Sequence, residues 1–164
     1  MRTIPIFAIT LLLPGMALAA CPPGSETLVS CTFKNGAKQL DTCLIGNQAL
    51  YRYGPSGGQP ELELAAHVRD VGMIPWPGIG RSIWEAVIFR NADISYEVSY
   101  SIDRDPENSE MQGGITVMKG DKMLAVLECD PGSVVSGGYS LPLFEAKERA
   151  GQCWRFDSRD WGDC

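Results

Sequence analysis

Histidine is almost missing from this chain of 164 residues: His67 stands alone, and no Cys-x-x-Cys pair accompanies it. Zinc-ligand spacing is therefore absent, and no metal or other cofactor is expected. Positive charge is also scarce, with 14 Lys+Arg against 20 Asp+Glu and a net charge of −6. Nucleic acid and anionic lipid both call for a basic face, so neither is expected as the main partner. Long apolar runs are lacking too. The longest, Ile4 to Leu13, is too short for a bilayer core that needs roughly 20 residues, so no membrane span is expected. There is no internal repeat and no low-complexity tract. At 45% hydrophobic and 21% charged, the composition excludes disorder, collagen and coiled coil. The length fits one domain.

The first residues read as an export signal. One charge at Arg2 precedes the apolar run, Pro14-Gly15 breaks it, and Ala17 and Ala19 supply the small residues a signal peptidase requires. The expected signal peptide is 1–19, leaving 20–164 as a single β-rich domain in the periplasm or outside the cell. Loss of Arg2 then takes the net charge from −6 to −7. The same residues support a rival: Leu18-Ala19-Ala20-Cys21 matches a lipobox, which would put a lipid anchor on Cys21. Against it, Pro22 follows directly, and lipidation would leave five thiols, an odd number, in an oxidising compartment.

Six cysteines are present: Cys21, Cys31, Cys43, Cys129, Cys153 and Cys164. An even count in an exported chain implies up to three disulfides, with 15 pairings open. Three lie before residue 44 and three after residue 128, so bonds between the two ends are one arrangement. Cys153 with Cys164 is an attractive local pair that would pin the tail 151–164. Cys31 with Cys43 is less simple, because an Asn35-Gly36 turn would set Cys31 opposite Leu40.

Apolar residues recur with period two, the signature of strands. Leu62, Leu64, Ala66 and Val68 share one face, as do Ile94, Tyr96, Val98 and Tyr100. Asn35-Gly36 and Gly120-Asp121 are hairpin signals, because their positions accept positive φ. Ala49 to Tyr53 and Trp84 to Arg90 bring the total to about eight short strands. One helix is expected near 141–150, with Ser140 as its cap, Leu141-Pro142 opening it and Gly151 ending it. One-sided strands favour antiparallel pairing. The expected fold is an antiparallel β-sandwich or barrel-like sheet with one C-terminal helix, stapled by disulfides.

Candidate sites are few. Gly54-Pro55-Ser56-Gly57-Gly58 has the Gly-x-Ser-x-Gly string, but no helix follows it to strain the serine. Asp103, Asp105, Glu107 and Glu110 form an acidic cluster that fails the calcium-loop template, with Asn108 at the glycine position. It reads as a solvated loop. No catalytic residue is assigned, although a pair of carboxylates able to cleave a glycosidic bond leaves no sequence mark. The most unusual stretch is Met73 to Arg81, where two prolines bracket Trp76 and two glycines follow. Trp76 either plugs one end of the core or, held by stiff flanks, is presented to a partner. Trp76 and Arg81 are anchor-type residues, and Tyr51 and Tyr53 could add stacking platforms. Trp154 and Trp161 are expected to cover the end of the helix.

Cys31-Thr32-Phe33-Lys34-Asn35-Gly36, Lys38, Cys43, Tyr51-Arg52-Tyr53-Gly54, Pro60-Glu61-Leu62, Trp76-Pro77-Gly78-Ile79-Gly80 and Gly114-Ile115-Thr116-Val117 resemble small exported proteobacterial proteins of unknown function. The resemblance covers roughly residues 30 to 130. The chain is also loosely similar to the membrane-bound and periplasmic inhibitors of c-type lysozyme, small exported β-barrels with a cysteine strand near the start. Only Ser136-Gly137-Gly138-Tyr139 echoes their Ser/Tyr inhibitory loop. The expected function is non-enzymatic binding of another envelope macromolecule, in concrete form an inhibitor or immunity protein against a basic lysozyme or toxin. The alternatives are a carbohydrate- or envelope-binding accessory module, and a hydrolase with an unmarked carboxylate pair.

Overall fold

Alternation along the strands resolves into two five-stranded antiparallel sheets in the computed structural model, which describes residues 21–164. The export signal and its cleavage site lie outside the described residues. The first sheet takes β1 (Glu26–Phe33), β2 (Lys38–Ile45), β3 (Gln48–Pro55) and β4 (Leu62–His67) in chain order. The second takes β5 (Gly72–Ile74), β6 (Ser82–Asn91), β7 (Ile94–Asp103), β8 (Gln112–Lys119) and β9 (Lys122–Glu128), again in order. A two-residue strand, β10 (Val135–Ser136), returns to the outer side of β1. Each meander follows from short turns between one-sided strands, which can only fold back on their neighbours.

The two sheets meet through their apolar faces. Leu28, Phe33, Leu40 and Tyr51 from the first, with Val87, Phe89, Val98 and Ile115 from the second, share one buried cluster. Tyr51 lies 5.4 Å from Phe89 and 5.5 Å from Tyr96, ring to ring, so aromatic contacts span the layers. The hairpin register agrees with the turn signal: Cys31 pairs with Leu40. Cys43 is thus left free of Cys31, and its disulfide runs to Cys21. A sulfur in that bond has no valence left for a lipid thioether, so the disulfide and an anchor at Cys21 exclude each other.

Cys31 joins Cys129, just past β9, and Cys153 joins Cys164. The residue after Cys129 reinforces the crossing. Asp130 accepts hydrogen bonds from the amides of Asn35 (2.9 Å) and Gly36 (2.7 Å) and from the Thr32 hydroxyl (2.9 Å). Partial burial alone would raise this carboxyl, but the three donors outweigh it and hold the group below its usual range. The β1–β2 turn, with Asn35 and Gly36 both at positive φ, is therefore ordered from the far end of the chain.

After β10, α1 (Pro142–Arg149) packs against β1, and the tail folds into a hairpin of β11 (Gln152–Arg155) and β12 (Asp160–Asp163). The N-cap is Leu141 rather than Ser140, and no side chain bonds the first turn. Pro142 at the first turn needs no amide partner, and the Leu141 amide is claimed by a buried carboxylate described below. Gly151, at φ 81°, ends the helix as expected. The tail is a disulfide-closed hairpin, with two strands that its alternation did not disclose. Trp161 packs edge-on against Phe144 of the helix at 5.1 Å and against Trp154 at 5.7 Å. Arg69 holds the tail in place by bonding the Ala150 carbonyl and the Asp163 carboxylate.

Candidate functional site: an acidic trough and its aromatic rim

The connection between β5 and β6 is a built loop. Pro75 is buried, Trp76 is half-buried, and Gly78 and Gly80 take φ of 83° and 101° that other residues rarely adopt. The Trp76 indole N–H donates to the Ile79 carbonyl at 2.9 Å and closes the turn on itself. The ring meets Tyr139 edge-on at 5.5 Å, and the Arg104 guanidinium lies 5.6 Å from its centroid. Arg81 donates from Nε to Asp103 at 2.6 Å, and the Arg104 amide donates to the Arg81 carbonyl at 3.1 Å. Trp76 is thus a rim residue, with the exposed Ile79 (73%) and Tyr139 (58%).

Beneath this rim sits a carboxylate. Glu85 follows the inward parity of β6 and pairs with Tyr100 of β7, so its side chain enters the core and is fully buried. One oxygen accepts from the Leu141 amide at 2.8 Å and the Tyr100 hydroxyl at 3.1 Å; the other has no hydrogen-bond partner among the described residues. Burial raises the Glu85 pKa, opposed by the Leu141 amide, the Tyr100 hydroxyl and the nearby Trp76 amide. With no exposure it cannot touch a substrate. It ties the Trp76 loop and the segment before α1 to the second sheet. The folded state therefore keeps a proton that the unfolded chain releases above pH 4.5, and stability falls as pH rises through the folded pKa. Glu85→Gln, which cannot ionise, is expected to match the wild type near pH 4 and exceed it at pH 8 in urea unfolding. A difference independent of pH would contradict this.

The solvent face of the second sheet carries a trough. Ser99 and Ser101 of β7, Gln112 and Thr116 of β8, and Val126 and Glu128 of β9 line a hollow of about 440 Å³. Gly114 sits at its centre, because a Cβ there would lie 2.4 Å from the Leu127 carbonyl. A second hollow of about 520 Å³ shares Ser101, Glu110 and Gln112 and adds Arg81, Asp103 and Glu107. Together they form one furrow from β9 to the Trp76 loop. Asp103, Glu107, Glu110, Glu128 and Asp130 are its acids, and its one cation, Arg81, is already paired with Asp103. The Asp103 carboxyl is lowered by bonds from the Asp105 amide and Arg81, so it stays charged. Among the described residues no three His, Cys, Asp or Glu side chains converge to hold a metal. The furrow is suited to cationic side chains flanked by hydroxyl contacts.

The structure brings Trp76 and Arg81 to this site and leaves the tyrosines away from it. Tyr51 is 1% exposed in the core and offers no face to a ligand. Tyr53 is half-buried, edge-on to Phe33 at 5.7 Å, with the Lys38 ammonium 5.9 Å from its ring. Strand parity carried the signal, since Ala49, Tyr51 and Tyr53 alternate on the apolar face of β3. His67 lies at a strand end, its Nδ1 accepting from the Arg69 amide at 3.2 Å. Of the Gly54–Gly58 string, Gly54 and Pro55 end β3 and Ser56–Gly58 turn toward β4. Sequence reasoning missed Glu85, flanked at i±2 by Ile83 and Val87, and met Tyr139 only within the Ser136–Tyr139 echo, not as a neighbour of Trp76. The acidic cluster is ordered, with Asp105 capping a 3₁₀ turn over Pro106–Asn108. The chain matches no protein-family model, no curated protein and no solved structure in the comparisons made.

Proposed function

We propose that the protein is exported to the periplasm or beyond and captures a basic macromolecule there, in concrete form as an inhibitor or immunity protein against a basic lysozyme or toxin. The observation that supports this most is the continuity of the acidic trough with an aromatic rim. The trough supplies long-range attraction that speeds encounter, and Trp76, Ile79 and Tyr139 supply apolar anchors of the kind that dominate interfaces. Three disulfides fit an oxidising compartment. Of the stacking platforms a sugar-binding module would use, Tyr51 is buried, so the protein-binding reading is preferred.

The test is calorimetry and affinity capture with a panel of basic lysozymes and envelope extract, at low and high salt. Paired reversal of Glu107 and Glu110 to Lys is expected to weaken binding by about tenfold or more while leaving the melting temperature unchanged. Trp76→Ala should raise the off-rate. Salt-insensitive binding to peptidoglycan fragments would instead select the carbohydrate module. Turnover of those fragments, lost on single Asp or Glu replacement, would select the hydrolase.

A further inference from the structure

Two segments far apart in the chain meet over one buried carboxyl. The loop before β6 brings Trp76, and the stretch between β10 and α1 brings Tyr139, whose ring lies edge-on to it at 5.5 Å. From Gly138 to Ser140, that stretch makes one hydrogen bond to the second sheet among the described residues. Its acceptor is the Gly138 carbonyl, 3.2 Å from the Tyr100 hydroxyl. The same hydroxyl lies 3.1 Å from the Glu85 oxygen that accepts from the Leu141 amide. A phenol has one proton to give, so it serves one of these two acceptors at a time.

Which acceptor it serves follows from the state of Glu85. A carboxylate is the stronger acceptor and takes the proton, leaving the Gly138 carbonyl unpaired. A neutral acid has a proton of its own to place. On the outlying oxygen that proton meets nothing, because this oxygen has no partner. On the shared oxygen it goes to Tyr100, which then turns its own proton to Gly138. Every donor is satisfied in that arrangement, and only a carbonyl oxygen is left over, which costs less than an orphaned donor.

We propose that Glu85 and Tyr100 form a proton-operated latch on the aromatic rim. A neutral Glu85 lets Tyr100 hold Gly138, and with it Tyr139 against Trp76; an ionised Glu85 takes the hydroxyl and releases the segment. Gly138 sits at φ 94°, and with Gly137 before it the released backbone is free to turn. The groups acting on Glu85 are the Leu141 and Trp76 amides and the Tyr100 hydroxyl, with no charged side chain among them. Glu85 and Tyr139 act on Tyr100. Nearby charges are engaged elsewhere: Arg81 with Asp103, Arg104 over the Trp76 ring, Glu145 with Arg149, and Lys147 with Gln152 and Trp161. Burial raises both members of the pair, so Tyr100 stays protonated while Glu85 titrates at a midpoint above 4.5. The latch deepens the capture function proposed above, on which its bearing on a partner rests. Its test reads the free protein, so either can fail alone.

Nuclear magnetic resonance on the oxidised mature protein, from about pH 4 to pH 9, tests it. As pH rises, the Gly138 carbonyl carbon should move upfield on losing its donor, and the Leu141 amide proton downfield as its acceptor gains charge. Cross-relaxation between the Trp76 and Tyr139 rings should weaken at the same midpoint. Glu85→Gln should hold all three signals constant. Tyr100→Phe should keep the Leu141 titration and abolish that of Gly138, a split that a merely structural Glu85 does not produce. Melting temperatures report folding; if Tyr100→Phe does not fold, the wild-type and Glu85→Gln titrations decide. A Gly138 carbonyl that stays constant while Leu141 titrates would overturn the latch, as would one that titrates equally without the Tyr100 hydroxyl. So would the absence of a midpoint shared by the three signals.

Discussion

Replacing both Cys31 and Cys129 with alanine is expected to lower the unfolding free energy by about 4–5 kcal/mol, the largest effect of any pairwise cysteine change in this chain. The bond spans 98 residues, against 22 for Cys21–Cys43 and 11 for Cys153–Cys164. Loop-closure entropy grows with the logarithm of loop length, which puts the two shorter bonds nearer 3 kcal/mol each. The long bond also ties β1 of the first sheet to the end of β9 in the second, and Cys31 is only 2% exposed. Its loss frees the unfolded chain and unpins the sheets together. Urea unfolding of the three double variants gives the ranking, and the 31/129 variant should also show the steepest denaturant dependence as its unfolded state expands. An equal loss for Cys153–Cys164 would mean that native-state packing, and not chain closure, sets the scale.

Lys147→Met is expected to stabilise the protein by up to about 3 kcal/mol at pH 7. Lys147 is 1% exposed, with its ammonium donating to Gln152 at 3.2 Å and lying 5.2 Å from the centroid of Trp161. Burial pushes its pKa from 10.5 down to about 8; Asp70 resists the shift, while Arg69 and Arg90 add to it. Between those two values the unfolded chain binds a proton that the folded chain has lost, so the wild type gains stability as pH rises from about 8 to 10.5. The Met variant has no such term. Its advantage should be full below pH 8 and disappear near pH 10.5, read as the difference between the two proteins in urea unfolding at each pH. Burial of Tyr51 and Tyr100 raises both phenols and takes stability away above pH 10 in both proteins. That shared loss cancels in the difference. An advantage that persisted at pH 10.5 would show that the ammonium is already solvated in the fold.

Lys147 also shows where sequence reasoning reaches its limit. A late lysine in a short helix reads as an exposed partner for the dipole, and Arg149, paired with Glu145 at 3.3 Å, behaves that way. Lys147 lies two positions earlier, and the tail hairpin with Trp161 covers it. Nothing local to the helix announces that cover, because the hairpin's position depends on Arg69 and on β5. The same holds for the trough. Ser99, Ser101, Thr116 and Glu128 are ordinary outward-facing residues of their strands, and only the pairing of β7, β8 and β9 sets them side by side around Gly114. Trp76 and Arg81 were visible beforehand, since prolines and glycines on either side of a tryptophan are a local pattern. The contact of Trp76 with Tyr139 was not, because Tyr139 comes from a segment 63 residues away.

What the sequence by itself determined is the local layer: strands from alternation, turns at Asn35-Gly36 and Gly120-Asp121, the helix stop at Gly151, the Cys31–Leu40 register and an acidic chain with an even number of cysteines. These depend on residues within a few positions of one another, where backbone sterics and period-two burial act directly. Tertiary structure alone decided the cross-sheet bond of Cys31 to Cys129, the burial of Glu85 and Lys147, the acidic furrow and the meeting of Tyr100 with Gly138. Each of those depends on which surfaces the two sheets bury against each other, and that is a property of the whole packed chain.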